Sequence, residues 1–178
     1  MSANPDFRYS GKDETEVIMT LHSIPPVYDG GSKILILGSF PSVASREVGF
    51  FYGHRRNRFW QVLSSLLGVS EPETVEDKKT LLISHGIALW DVIASCEIVG
   101  SADSTIRDAM PNDLHVILSA ADIRAVFVNG KTALKYYDKY MMDKYGIEAI
   151  CLPSTSPANA AFSLRRLVEG WSVIKEYL

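Results

Sequence analysis

The stretch "KILILG" (33–38) is apolar at four consecutive positions and closes on a glycine. A strand with one wet face would alternate polar and apolar residues. An unbroken run of Ile and Leu this short predicts a strand buried on both faces. "IALWDVI" (87–93), "RAVFVNG" (124–130) and "IEAICL" (147–152) repeat the pattern. Between them, "RFWQVLSSLLG" (58–68) has helical spacing and a stop at Gly68, and "SADSTIRDAMPNDLHVILSA" predicts a loop, then a helix from near Asn112. "KTALKYYDKYMMDKYG" (131–146) and "NAAFSLRRLVEGWSVIKEYL" (159–178) predict two more helices. Residues 1–20 read as an irregular leader, followed by the turn-like "HSIPPVYDGGS". Strands alternating with helices predict an α/β domain with a short, mostly parallel four-stranded sheet. Ligands in such folds bind outside the carboxyl ends of the strands, which points to 38–57, 91–105, 129–132 and 152–159.

The 178 residues predict a single domain spanning 1–178, large enough for a real core. An apolar content of 47% with 22% charged residues is ordinary globular composition. The formal charge of −3 gives no bulk support for a nucleic-acid partner, although the local field at a cleft matters more than the total. No apolar run approaches the roughly 20 residues that span a bilayer, and the polar start lacks the apolar middle of a secretory signal. The expected location is the cytoplasm, or the nucleus in a eukaryotic source. Cys96 and Cys151 cannot supply four thiolates, and His22, His54, His85 and His115 show no ligand spacing, so no metal is expected. Both cysteines read as small buried hydrophobes.

The unusual sequence falls at the predicted strand ends. Gly38 and Pro41 in "GSFPS" predict a tight turn, without the Gly-Lys-Ser/Thr of a phosphate loop. "GFFYGHRRNRFW" (49–60) carries Phe50, Phe51, Tyr52, Phe59 and Trp60, which cannot all face inward from one loop. A ring left in a cleft offers a stacking face to a base, and Arg46, Arg55, Arg56 and Arg58 offer a positive field to phosphates. A solvated basic loop with two rings in the core is the other reading. "LPSTSPANAAF" (152–162) places Ser154, Thr155 and Ser156 beyond a strand, either gripping phosphate or capping a helix, with Asn159 a candidate cap. Asp91 in "LWDV" is either a cap or an acceptor facing the cleft, and Asn129 and Lys131 either shape a helix start or serve the site.

Two loops, Gly38 through "GFFYGHRRNRFW" to Trp60 and "LPSTSPAN" (152–159), resemble those of the uracil-DNA glycosylase superfamily. Within it the chain looks most like the hypoxanthine-DNA (deoxyinosine) glycosylases, over roughly 33–178. The resemblance implies a three-layer α/β/α fold. It departs from the usual pattern at two positions: Phe40 stands where a water-holding carboxylate or amide is usual, and Leu152 where a His or Asn is. In the hypoxanthine branch an asparagine of "NRFW" is implicated instead, and it maps to Asn57.

The implied activity is that of a DNA-repair glycosylase. It flips out a deaminated base, chiefly hypoxanthine, and hydrolyses the N-glycosidic bond to leave an abasic site. Asn57 is the implied catalytic residue, its amide orienting water or bonding the base. Gly38, Ser39, Phe40, Tyr52 and Asp91 form the implied base pocket, with Tyr52 stacking, backbone N–H groups near Ser39 and Phe40 meeting O6, and Asp91 accepting from N1–H. Arg55, Arg56, Ser154, Thr155, Ser156 and Asn159 are implied DNA contacts, and Pro157, Ala158 and Asn159 candidates for a wedge in the duplex. With no lysine in the two loops, a monofunctional enzyme is expected, acting on DNA as a monomer without cofactor, metal or membrane. A uracil- or mismatch-specific glycosylase, and a catalytically inactive nucleic-acid-binding module, are the alternatives.

Overall fold

The computed structural model describes residues 19–178; residues 1–18 of the expected leader lie outside the described residues. The chain runs β1 (Met19–Leu21), β2 (Ile34–Gly38), α1 (Val43–Val48), α2 (Phe59–Leu67), α3 (Val75–Ser84), β3 (Ile87–Asp91), β4 (Ile93–Glu97), β5 (Arg107–Pro111) and α4 (His115–Leu118). It continues through β6 (Ala125–Asn129), α5 (Lys131–Tyr137), α6 (Asp143–Tyr145), β7 (Ala149–Leu152) and α7 (Leu164–Trp171). Strands β3, β2, β6 and β7, in that spatial order, form a fully parallel sheet.

The apolar runs behave as their composition requires, because each face of the sheet has its own core. Ile34 and Ile36 point to one side with Ile87, Leu89 and Phe127, under Phe59, Leu63, Leu82 and Trp171 of α2, α3 and α7. Leu35 and Leu37 point to the other with Ala88, Val126 and Val128, under Ile117 and the α5 residues Ala133 and Tyr137. This period of two with both faces covered is why the strands carry no polar alternation. Helix α2 stops where expected, at Gly68 in the left-handed conformation with φ 68°.

Four details differ from the sequence reading. The "IALWDVI" run is two strands, because the chain leaves the parallel sheet after Asp91. Val92 N–H then bonds Gly38 O at 2.8 Å, and Ile93 opens β4. β4 lies between β1 and β5 in a separate antiparallel sheet, so Met19 and Thr20, expected in an irregular leader, are strand residues. The helix expected from Asn112 begins at His115, and Asn112 instead donates its side-chain amide to the carbonyls of Asp91 and Ile93. The last helix starts at Leu164 with Ser163 as its N-cap, so Asn159 is not the cap; residues 172–176 tighten into a 3-10 turn.

Candidate active site

A cavity of about 940 Å³ opens at the carboxyl ends of the parallel strands. All four segments singled out by the strand-end rule contribute to it, through residues such as Gly38, Tyr52, Asn57, Asp91, Asn129 and Thr155.

Asn57 is held in one orientation. Its Oδ1 accepts from the Phe59 N–H at 3.0 Å and from the Thr155 hydroxyl at 2.9 Å. A backbone N–H can only donate, so the oxygen of the amide must face it. The NH₂ group is left to donate, and no described residue accepts from it. Thr155 is the hub of this arrangement. Its N–H donates to Asn129 Oδ1 at 3.0 Å, and its hydroxyl oxygen accepts from Asn129 Nδ2 at 2.9 Å. Fully buried and spent on Asn57 and Asn129, the Thr155 hydroxyl is not presented to a phosphate. That corrects its expected place among the DNA contacts.

Arg58 also differs from its expected rim position. Its guanidinium donates to the carbonyls of Phe162, of Ser156 at 2.9 Å and of Asn159 at 3.0 Å, while its N–H meets Thr155 O at 3.1 Å. It clasps the two loops together. Arg55 and Arg56 are exposed, free of such ties, and outside the cavity wall. Ser154, Ser156 and Asn159 brace their own loop: Ser156 N–H bonds Ser154 Oγ, Ala158 N–H bonds Ser156 Oγ, and Asn159 Nδ2 bonds Ser154 O. Pro157 and Ala158 stand exposed at its tip.

Tyr52 takes a left-handed backbone with φ 53°, unusual for a side chain of its size, and strain of this kind collects at functional sites. Phe59 stacks on its ring at 4.0 Å between centroids. Its hydroxyl is buried with no hydrogen-bond partner among the described residues. Burial first, and then the Asp91 charge, push the phenol pKa well above its ordinary value, with the nearby Asn129 amide partly opposing them. It is therefore a proton-bearing donor at neutral pH.

Asp91 sits beside Gly38 in strand register, and a Cβ on Gly38 would lie 2.2 Å from its Oδ1. The other oxygen, Oδ2, is 2.7 Å from His22 Nε2, both side chains being buried. Ile24 N–H donates to His22 Nδ1 at 3.3 Å, which places the ring proton on Nε2, where it donates to Asp91. The role of His22 went unnoticed in the sequence because it lies 69 positions from Asp91, in the irregular segment after β1. Asp103 is a second carboxylate on the cavity wall that sequence reasoning missed, its Oδ2 accepting from the Ser39 hydroxyl at 2.8 Å. Phe40 and Leu152 are buried, both line the cavity and neither offers a polar group. Among the described residues no group of three or more His, Cys, Asp or Glu side chains could hold a metal ion, and no helix is long and apolar enough to cross a membrane.

The family model of the Uracil DNA glycosylase superfamily matches residues 25–175. The chain belongs to this superfamily. Its relatives include a protein named hypoxanthine DNA glycosylase from Methanosarcina acetivorans, 34% identical over 158 residues that cover 88% of this chain and 98% of the relative. Another of the same name, from Methanosarcina barkeri, is 32% identical over 156 residues covering 86% and 97%. The solution NMR structure of a proposed uracil DNA glycosylase from M. acetivorans superposes with a TM-score of 0.76 at 32% identity, covering 90% of this chain and 99% of that one. The superfamily's α/β architecture is thus the one observed, and the asparagine of "NRFW" lines the cavity.

Proposed function

We propose that the chain is a DNA-repair glycosylase that excises hypoxanthine from deoxyinosine and leaves an abasic site. The observation that carries this is the pinned Asn57 amide, which presents its NH₂ in a cavity where Phe40 and Leu152 offer no polar group. The names of the two Methanosarcina relatives support the same base. As the glycosidic bond breaks, negative charge gathers on the departing base. A fixed donor aimed at that charge stabilises the transition state more than the ground state. Hypoxanthine tolerates negative charge better than adenine does, so one oriented amide suffices where a poorer leaving group would need protonation. Tyr52, backed by Phe59, offers the stacking face. Asp91, with Oδ2 tied to His22, keeps Oδ1 for the N1–H of hypoxanthine, and adenine's unprotonated N1 would be repelled there.

Arg55 and Arg56 meet the backbone phosphates, Ser154, Ser156 and Asn159 shape the loop beside the flipped nucleotide, and Pro157 and Ala158 form the wedge. The enzyme works as a monomer in the cytoplasm, or in the nucleus of a eukaryotic source. The test is a panel of duplexes containing inosine, uracil or xanthine. Inosine strands should break after alkali and remain whole without it. If all three stay intact after alkali, the enzyme reading is wrong and a binding module remains; strand breaks without alkali would make the enzyme bifunctional through Lys131, the lysine lining the cavity. Asp91→Ala should lower release of hypoxanthine by about 10- to 100-fold, the loss of one hydrogen bond to a charged group, and that of uracil far less, because the smaller ring reaches the acceptor less well. Equal losses would mark Asp91 as merely structural.

A further inference from the structure

Hydrolysis needs an acceptor for the attacking water, and neither the apolar wall nor the Asn57 amide provides one. Phe40 and Leu152 are apolar. The Asn57 oxygen already accepts from the Phe59 N–H and the Thr155 hydroxyl, so the amide has a donor to offer but no free acceptor. Asp91 gives one oxygen to His22 and, in the reading above, the other to the edge of the base. Asp103, on a short 3-10 turn (Asp103–Thr105) after β4, is the other carboxylate that the described residues place on the cavity wall.

Its geometry suits the task. Ser39, in the turn directly after β2, fixes Oδ2 at 2.8 Å, and no described residue donates to Oδ1. The turn itself is tied down where Thr105 Oγ1 donates to Ala102 O at 2.7 Å and accepts from Val99 N–H at 2.9 Å. Across the segment, Ser101 Oγ accepts from Val43 N–H at 2.9 Å, fastening the same stretch to the start of α1. The carboxylate is therefore anchored from two sides rather than carried on a loose loop. We propose that Asp103 is a catalytic residue, the carboxylate that holds and deprotonates the attacking water, with Ser39 positioning it.

This proposal rests on the glycosylase reading. The bond between C1′ and the base nitrogen breaks, and its electron pair leaves with the base, which takes a proton from solvent. The water oxygen bonds C1′, its proton passes to Asp103 Oδ1, and Asp103 then releases that proton to solvent. Burial raises the Asp103 pKa above its ordinary value, the Ser39 hydrogen bond opposing and the Asp91 charge adding to the rise. A carboxylate shifted in that direction is a stronger base. Asn57 and Asp103 then divide the work, one serving the departing base and the other the incoming water.

The experiment measures single-turnover release of hypoxanthine from a deoxyinosine duplex. Asp103→Asn keeps an acceptor for Ser39 but cannot take a proton, and should lose about 100-fold or more, as for removal of a general base. Its affinity for the duplex and its Tm should stay near wild type. Asp103→Ala should recover part of its rate when sodium formate is added, because a small carboxylate fits the vacated space, whereas Asn57→Ala should not. Asp103→Asn within threefold of wild type, a rate loss matched by lost DNA affinity, or no formate rescue of a folded Asp103→Ala would each overturn the proposal. A wild-type enzyme inactive on every base would instead sink the underlying glycosylase reading, so the two failures are distinguishable.

Discussion

Asn57→Ala is expected to lower single-turnover release of hypoxanthine by about 100- to 1,000-fold, the range seen when one preorganised donor to developing charge is removed. Affinity for the inosine duplex should change little, since the proposed phosphate contacts lie on other residues. The alanine variant also loses a local tie, because Asn57 Oδ1 accepts from the Phe59 N–H at the start of α2. Loss of that capping-type bond should cost about 1 kcal/mol, and so a few degrees in Tm. Asn57→Asp separates the two effects. An aspartate keeps an oxygen for Phe59 and for the Thr155 hydroxyl, so stability should stay near wild type. It has no NH₂ to give, and its charge opposes the one growing on the base, so the rate should fall at least as far as in the alanine variant. A nearly active Asn57→Asp would show that the amide acts as an acceptor or a spacer, and would remove the electrostatic role argued for it.

Much of the scaffold was legible because burial on both faces leaves a plain signature in "KILILG" and in the runs of β3 and β6; β7 is apolar too, but its Cys151 is exposed rather than the buried hydrophobe expected. Helix α2 was legible through its period and Gly68. What was hidden obeys no such period. The antiparallel sheet was missed because "IALWDVI" is uninterrupted in sequence although the chain turns out of the parallel sheet at Val92, and because β5 is mostly exposed and carries no apolar run. Helix α3 carried a readable start, Thr74 and Asp77 forming a reciprocal capping box, but its weakly patterned apolar content drew no attention. In the site, the position of Asp91 followed from the strand-end rule. His22 did not, and Asp103, although inside the 91–105 segment, did not stand out there, because each takes its place through one hydrogen bond across the chain, to Asp91 and to Ser39, that no spacing announces. Thr155 and Arg58 misled in the opposite direction. A hydroxyl and a guanidinium in DNA-binding loops read as phosphate ligands, yet both are consumed holding those loops against each other.

Gly38→Ala should be almost as damaging, although it adds a single methyl. Gly38 shows no left-handed φ, so the requirement for glycine is one of space rather than backbone freedom. The new Cβ would stand 2.2 Å from Asp91 Oδ1 and 3.0 Å from the Tyr52 hydroxyl. Neither neighbour can yield freely: Asp91 is buried and tied to His22, and Tyr52 is clamped on Phe59. The backbone cannot retreat either, since β2 is paired on both sides, with β3 and with β6. Overpacking of this kind costs about 1–3 kcal/mol, which for a domain of this size is a fall of about 3–10 °C in Tm. Activity should drop about 100-fold or more, because the shift falls on the proposed acceptor for the base edge and the proposed stacking ring, and small misplacements at a reacting centre have effects of that order. A second substitution tests the cause. In an Asp91→Ala background the methyl has room, so Gly38→Ala should cost little further stability, while the rate stays low for want of the carboxylate. A strictly additive pair of Tm changes would mean that the methyl is accommodated elsewhere and that Asp91 does not crowd Gly38. A fully active Gly38→Ala would go further and remove both residues from the base pocket.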